Sequence, residues 1–163
     1  MTETTLTPAR LWKRMTLAQR TTVALAFWQD EQANDDQVQA LLLISQAKKF
    51  RPKSVFALEP DRKAKHLASL TNVPDGMAAR ALVVYHLAAQ RPMMGAFLDA
   101  LGIAHENGVI EQDEVQPDAA KLGPAVDALT AQFAKEDVWL YLNTLLSQDP
   151  ATWGALDGHP ALA

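Results

Sequence analysis

Nine prolines cut this 163-residue chain into short lengths, and most of them stand where an α-helix begins or ends. The pyrrolidine ring holds φ near the helical value and carries no N–H, so proline suits a first helical turn and blocks an interior one. Thr7-Pro8 joins an N-cap to a proline and predicts a helix through Arg14. Thr16 caps a second helix to about Glu31, with Leu17, Arg20, Ala24, Phe27 and Trp28 near helical spacing. Asp35 or Asp36 caps a third, to about Phe50. Its Ala40-Leu41-Leu42-Leu43-Ile44 run is apolar nearly all round and predicts a central place in the bundle. Pro52 ends that helix, one helical turn is expected between Lys53 and Pro60, and Asp61 starts a helix to Leu70.

The pattern continues in the second half. Val73-Pro74-Asp75 begins a long helix to about Gln90, striped by Ala78, Ala81, Leu82, Tyr85, Ala88 and Ala89. Pro92 starts a short helix whose stripe is Met94, Phe97, Leu98 and Leu101. The stripe favours Met94 for the core and leaves Met93 open. Gly102 and Ile103 read as a Schellman ending, and Asn107-Gly108 as a tight turn, since both tolerate positive φ. Val109 to Gly123 reads mainly as loop, with a helix start near Asp118. Further helices follow Gly123-Pro124, Asp137 and Asp149-Pro150. Strand signals are nearly absent. The expectation is an all-α fold: a single domain over residues 1–163, a compact bundle of seven to nine helices in mixed or orthogonal packing, with 1–6 and 158–163 as loose tails.

The chain has no cysteine, which removes disulfides, thiolate metal sites and cysteine nucleophiles together. The longest apolar run falls far short of the roughly 20 residues of a membrane span, and residues 1–5 carry no signal-peptide core. The expectation is therefore a cytoplasmic protein with no membrane partner. Net charge is −4 and unevenly spread, with residues 1–70 positive and residues 71–163 strongly negative. Such asymmetry steers charged partners without dictating fold.

Motifs for phosphate loops, dinucleotide binding and serine hydrolases are all missing. His105-Glu106 begins like a zinc hydrolase, but position 109, where a second histidine belongs, is Val109. What remains is the group His86, Arg91, Asp99, His105 and Glu106. If the helices on either side of Arg91-Pro92 form a corner, the two imidazoles and two carboxylates suit acid–base chemistry or a divalent metal held by His86, Asp99, His105 and Glu106, while Arg91 suits an anionic substrate. The competing reading is structural: His86 as a partly buried ring, Arg91 paired with Asp99, and His105 and Glu106 organising a turn.

A basic stretch comprises Lys48, Lys49, Arg51, Lys53, Arg62, Lys63 and Lys65, with His66 beside it. It suggests nucleic-acid or polyanion binding. Against this, the connection from Phe50 to Asp61 is too long for the turn of a helix-turn-helix, and Lys48 and Lys49 complement a helix C-terminus without any ligand. Phe50 and Phe56 are expected as core anchors, as are Trp28 and Trp139, while Trp12 and Trp153 are expected to clamp terminal helices. Three function classes follow. The leading one is a non-catalytic protein-interaction or regulatory module, with a protein partner or self-association and no cofactor. The others are a small enzyme or metal or ligand binder using the histidine group, and a polyanion binder using the basic stretch.

Overall fold

The computed structural model describes residues 5–163; residues 1–4 of the expected N-terminal tail lie outside the described residues. The fold is all-α. The described residues contain ten α-helices, two 3-10 helices and one minimal β-hairpin. The helix count exceeds the expected seven to nine because several are only one or two turns long. Contacts group the chain into two compact units, one of residues 7–88 and one of residues 89–163 with Thr5 and Leu6.

The N-terminal unit holds α1 (Pro8–Arg14), α2 (Leu17–Gln29), α3 (Asn34–Lys48), α4 (Pro52–Phe56), α5 (Pro60–Ala68) and nearly all of α6 (Asp75–Ala89). Thr16 and Gln19 close a capping box at the start of α2, satisfying two backbone donors reciprocally. α2 packs chiefly on α5, and the interior includes Leu11, Trp12, Phe27, Leu67 and Leu82. Arg20 is buried among them. Its Nη1 donates to the Met15 carbonyl at 2.6 Å and its Nε to the Ala68 carbonyl at 2.8 Å. One guanidinium thus satisfies the carbonyl ends of α1 and α5, where the helix dipoles also favour a cation. Trp12 Nε1 donates to the Leu70 carbonyl at 2.8 Å, and Asp75 Oδ1 accepts from the Ala9 N–H at 2.9 Å. Trp12 therefore clamps α1 as expected.

Several expectations need correction here. α3 is not central: only Ala40 and Ile44 are buried, and Val38 and Leu42 face solvent. Neighbouring apolar letters had filled all sides of the helix wheel, but only one side found a partner. Neither Asp35 nor Asp36 caps α3. Its N-cap is Ala33 without a side-chain bond, and both acids lie in the first turn, where they complement the dipole. Phe50 and Phe56 are not core anchors, and Trp28 is only partly buried.

The C-terminal unit begins with α7 (Arg91–Leu101). It continues through a hairpin of β1 (His105–Glu106) and β2 (Val109–Ile110) to α8 (Ala119–Gln132), α9 (Lys135–Gln148) and α10 (Pro150–Trp153). Two 3-10 turns follow, Gly154–Leu156 and Pro160–Leu162. Phe97 sits in its core with ring centroids 5.8 Å from both Tyr141 and Trp153. Met93 is fully buried and Met94 only partly so, the reverse of the weighting the stripe suggested. Trp139 is likewise only partly buried. α8 starts at its N-cap Asp118, as expected, but runs straight through Gly123-Pro124, where a further helix start was expected; Pro124 stands on an exposed position where solvent can reach the carbonyl it leaves unbonded. Nor is the C-terminal tail loose: Leu162 is buried, and Asn143 Nδ2 donates to its carbonyl at 3.2 Å as well as to Trp139 O at 2.9 Å.

Replacing Arg20 with Met strips two buried helix-end carbonyls of their donors. We expect a loss of about 2–4 kcal/mol in urea unfolding, with Arg20→Lys intermediate because a single ammonium lacks the fork that spans both carbonyls. Equal stability of Arg20→Met and the parent protein would contradict the role given to this residue.

Candidate functional site

Asn107 (φ 51°) and Gly108 (φ 88°) form the two-residue loop of the hairpin, with His105 opposite Ile110 and Glu106 opposite Val109. Two successive positive φ values define the turn that matches strand twist, and Asn-Gly is the sequence that adopts it at least cost. The tight turn is as expected, but the strands on either side of it are not. They are two residues each, too short to show alternation.

The hairpin lies directly on α7. A Cβ at Gly108 would stand 2.8 Å from Met94 Cβ and 3.2 Å from the Arg91 carbonyl oxygen; one at Gly95 would stand 3.2 Å from Cε1 of His105. Glycine is thus required at 108 by both backbone conformation and space, and at 95 it makes the seat for the imidazole. Arg91 Nη1 donates to the Asn107 carbonyl at 3.0 Å and ties the loop to the start of the helix.

Of the five residues singled out from the sequence, Asp99 and His105 therefore meet, and Arg91 reaches the same hairpin through Asn107. Their bonding reveals what they do. The Gly108 N–H, which can only donate, points at His105 Nδ1 from 3.0 Å, while Nε2 lies 2.7 Å from Asp99 Oδ1. Nδ1 is thereby an acceptor without a proton, and the proton on Nε2 is donated to the carboxylate. A catalytic base or metal ligand needs a ring nitrogen lone pair directed at its substrate or metal. Here one nitrogen is taken by the turn and the other by Asp99. The pair fastens a hairpin to a helix, and the carboxylate itself is 75% exposed. Glu106 is exposed and borders an open hollow with Arg91, Asn107, Val109, Ile110 and Glu111. Its carboxylate is not drawn into the His105–Asp99 pair. Among the described residues, no three His, Asp or Glu side chains are placed to hold one metal ion.

His86 belongs to the N-terminal unit. Its ring is 3% exposed, its Nδ1–H donates to the Leu82 carbonyl at 2.7 Å, and it meets Tyr85 edge-on at 5.1 Å. Burial pushes its pKa down to about 4, against a smaller upward pull from the Leu82 bond. It is a neutral ring that packs.

The basic stretch has a different character. Lys48, Lys49, Arg51, Lys53, Arg62 and Lys65 are all exposed, around the end of α3, α4 and the outer face of α5. α5 buries Ala64, Leu67 and Ala68 and turns its charges outward. Phe56 is 72% exposed and Phe50 42%. Lys63 Nζ lies 5.2 Å from the Phe56 ring centroid and 5.4 Å from that of Trp28, and Phe50 meets His66 edge-on at 5.3 Å. The His66 pKa is lowered by partial burial, then by Lys48 and Arg62. Sequence reasoning found the cations but assigned the two phenylalanines to the core. Their positions beside Pro52 and at the end of a five-residue helix were the signal that no long apolar stripe was there to bury them.

Comparison with protein-family models, curated proteins and solved structures gives no match to this chain.

Two measurements check these assignments. Gly108→Ala should destabilise the protein by about 2 kcal/mol or more, since it adds left-handed strain to a clash. Gly95→Ala should cost less, because the His105 ring can shift by a few tenths of an ångström; the opposite ranking in denaturant unfolding would refute the packing argument. For His86, the unfolded chain binds a proton below about 6.5 and the folded chain only below about 4, so its contribution to stability is present above that window and lost as pH falls through it. Relative to His86→Gln, the native protein should lose about 3 kcal/mol of its advantage between neutral pH and pH ~4. Parallel stability–pH curves for the two proteins would rule this out.

Proposed function

We propose that the chain is a non-catalytic protein-interaction module, and that the cationic, aromatic face of its N-terminal unit receives an acidic, amphipathic segment of another protein. The observation that carries this reading is Phe56, a large apolar ring left 72% exposed with the Lys63 ammonium 5.2 Å from its centroid. Leaving such a ring in water forgoes about 2 kcal/mol of burial, and aromatic residues and Arg are enriched at protein interfaces. Seven cations against Glu59 and Asp61 supply the steering field.

The details favour a protein segment over nucleic acid. Base stacking takes up a ring face, and the Lys63 ammonium already stands over one face of Phe56 while His66 meets Phe50 edge-on. An acidic helix with apolar residues at i and i+4 can seat the apolar ones on Phe50 and Phe56 and its carboxylates among Arg51, Lys53, Arg62 and Lys65.

The test is fluorescence anisotropy with a labelled acidic amphipathic peptide, with a single-stranded oligonucleotide as competitor. The peptide should bind, weaken with rising salt, and lose about tenfold or more in affinity with Phe56→Ser and with Lys53→Glu/Arg62→Glu. Tighter binding of the oligonucleotide, or peptide binding indifferent to both variants, would sink the reading.

A further inference from the structure

A second feature lies along α3 and shares Lys48 and Lys49 with that face. Asp35, Val38, Leu42 and Lys49 lie along α3 and its C-cap at spacings of three, four and seven residues, with partly buried Ser45, whose hydroxyl donates to the Phe50 carbonyl, between the last two. At 100° per residue these positions fall on one side of a helix, the spacing of a coiled-coil seam. All four are exposed, with Val38 at 55% and Leu42 at 47%. The seam is apolar in the middle, acidic at its start and cationic at its end. Glu31, exposed just ahead of the helix, extends the acidic end, and Lys48 extends the cationic one. No ion pair among the described residues uses Glu31, Asp35, Lys48 or Lys49.

Such a surface is complementary to itself only when reversed. Side by side in the same direction, two copies would set Lys49 against Lys49 and Asp35 against Asp35, which is repulsive. Turned end for end about a two-fold axis, Val38 of each copy meets Leu42 of the other, and the Glu31–Asp35 end of each meets Lys49 of the other. We propose that α3 is a homotypic docking helix that pairs antiparallel with α3 of a second copy of this chain. The contact is isologous, so one surface supplies both sides and the assembly closes at two. A single helix pair buries less than the roughly 1,200 Å² of the smallest stable complexes, so the dimer is reversible.

Sedimentation velocity of the full chain over a concentration series tests this. The native protein should pass from monomer to dimer as concentration rises. Leu42→Glu should remain monomeric with an unchanged circular dichroism spectrum, since the position is exposed, and should still bind the acidic peptide above. Lys49→Glu alone and Glu31→Lys/Asp35→Lys should each weaken the dimer, and the three changes together should restore it, because the swap recreates the same pairing with signs exchanged. A native protein that stays monomeric up to about a millimolar, a far weaker limit than specific dimers show, would overturn the proposal. So would a dimer that survives Leu42→Glu or a triple variant that fails to recover.

Discussion

Helices of four to fifteen residues carry a heavy burden of unpaired backbone. Each leaves four N–H groups at its start and four C=O groups at its end, so a short helix has few internally bonded groups for every orphan. The long-range polar contacts of this protein mostly answer that demand. Arg20 serves the ends of α1 and α5, Asp75 the start of α1, and Trp12 the carbonyl just beyond α5. In the C-terminal unit Asn143 holds the last turn of the chain through the Leu162 carbonyl. Hydrophobic burial drives each unit together, but these bonds decide which helix end meets which.

The same demand explains why the most chemically capable residues do so little chemistry. Arg91, Asp99 and His105 lie where a helix start, a tight turn and a two-residue strand pair converge, and each spends its polar groups on backbone or on a neighbour. The approach is close enough that Gly95 and Gly108 cannot carry side chains at their present positions without displacement. Histidine and carboxylate side by side usually invite a catalytic reading. Here the direction of the Gly108 N–H assigns the tautomer and uses the lone pair that catalysis would need.

The surface of the N-terminal unit follows the opposite logic. Val38, Leu42, Phe50 and Phe56 contribute apolar area to solvent, and among the described residues Glu31, Asp35 and the cations of the basic stretch form no ion pair. Surface charges left unengaged act at a distance, setting the rate and orientation of encounter, and exposed apolar groups beside them supply the contact energy once encounter has occurred.

The sequence by itself determined the all-helical class and the positions of most helix boundaries, though not the two short strands beside Asn107-Gly108. Proline, Thr16, Gly102 and Asn107-Gly108 act through φ, missing donors and local bonds that need no distant partner. It also pointed to Trp12 and Trp153 as clamps on the short helices that carry them, and both are buried. Tertiary structure decided everything that depends on which faces are covered. Leu42 and Ile44 are equally apolar letters in one helix, yet one is exposed and the other is not, because only one side of α3 meets α4 and α5. Phe56 looks like a core residue until α4 ends beneath it. Whether His105 is a base or a fastener rests on the angle from which the Gly108 N–H arrives, a fact of three-dimensional approach that no spacing along the chain encodes.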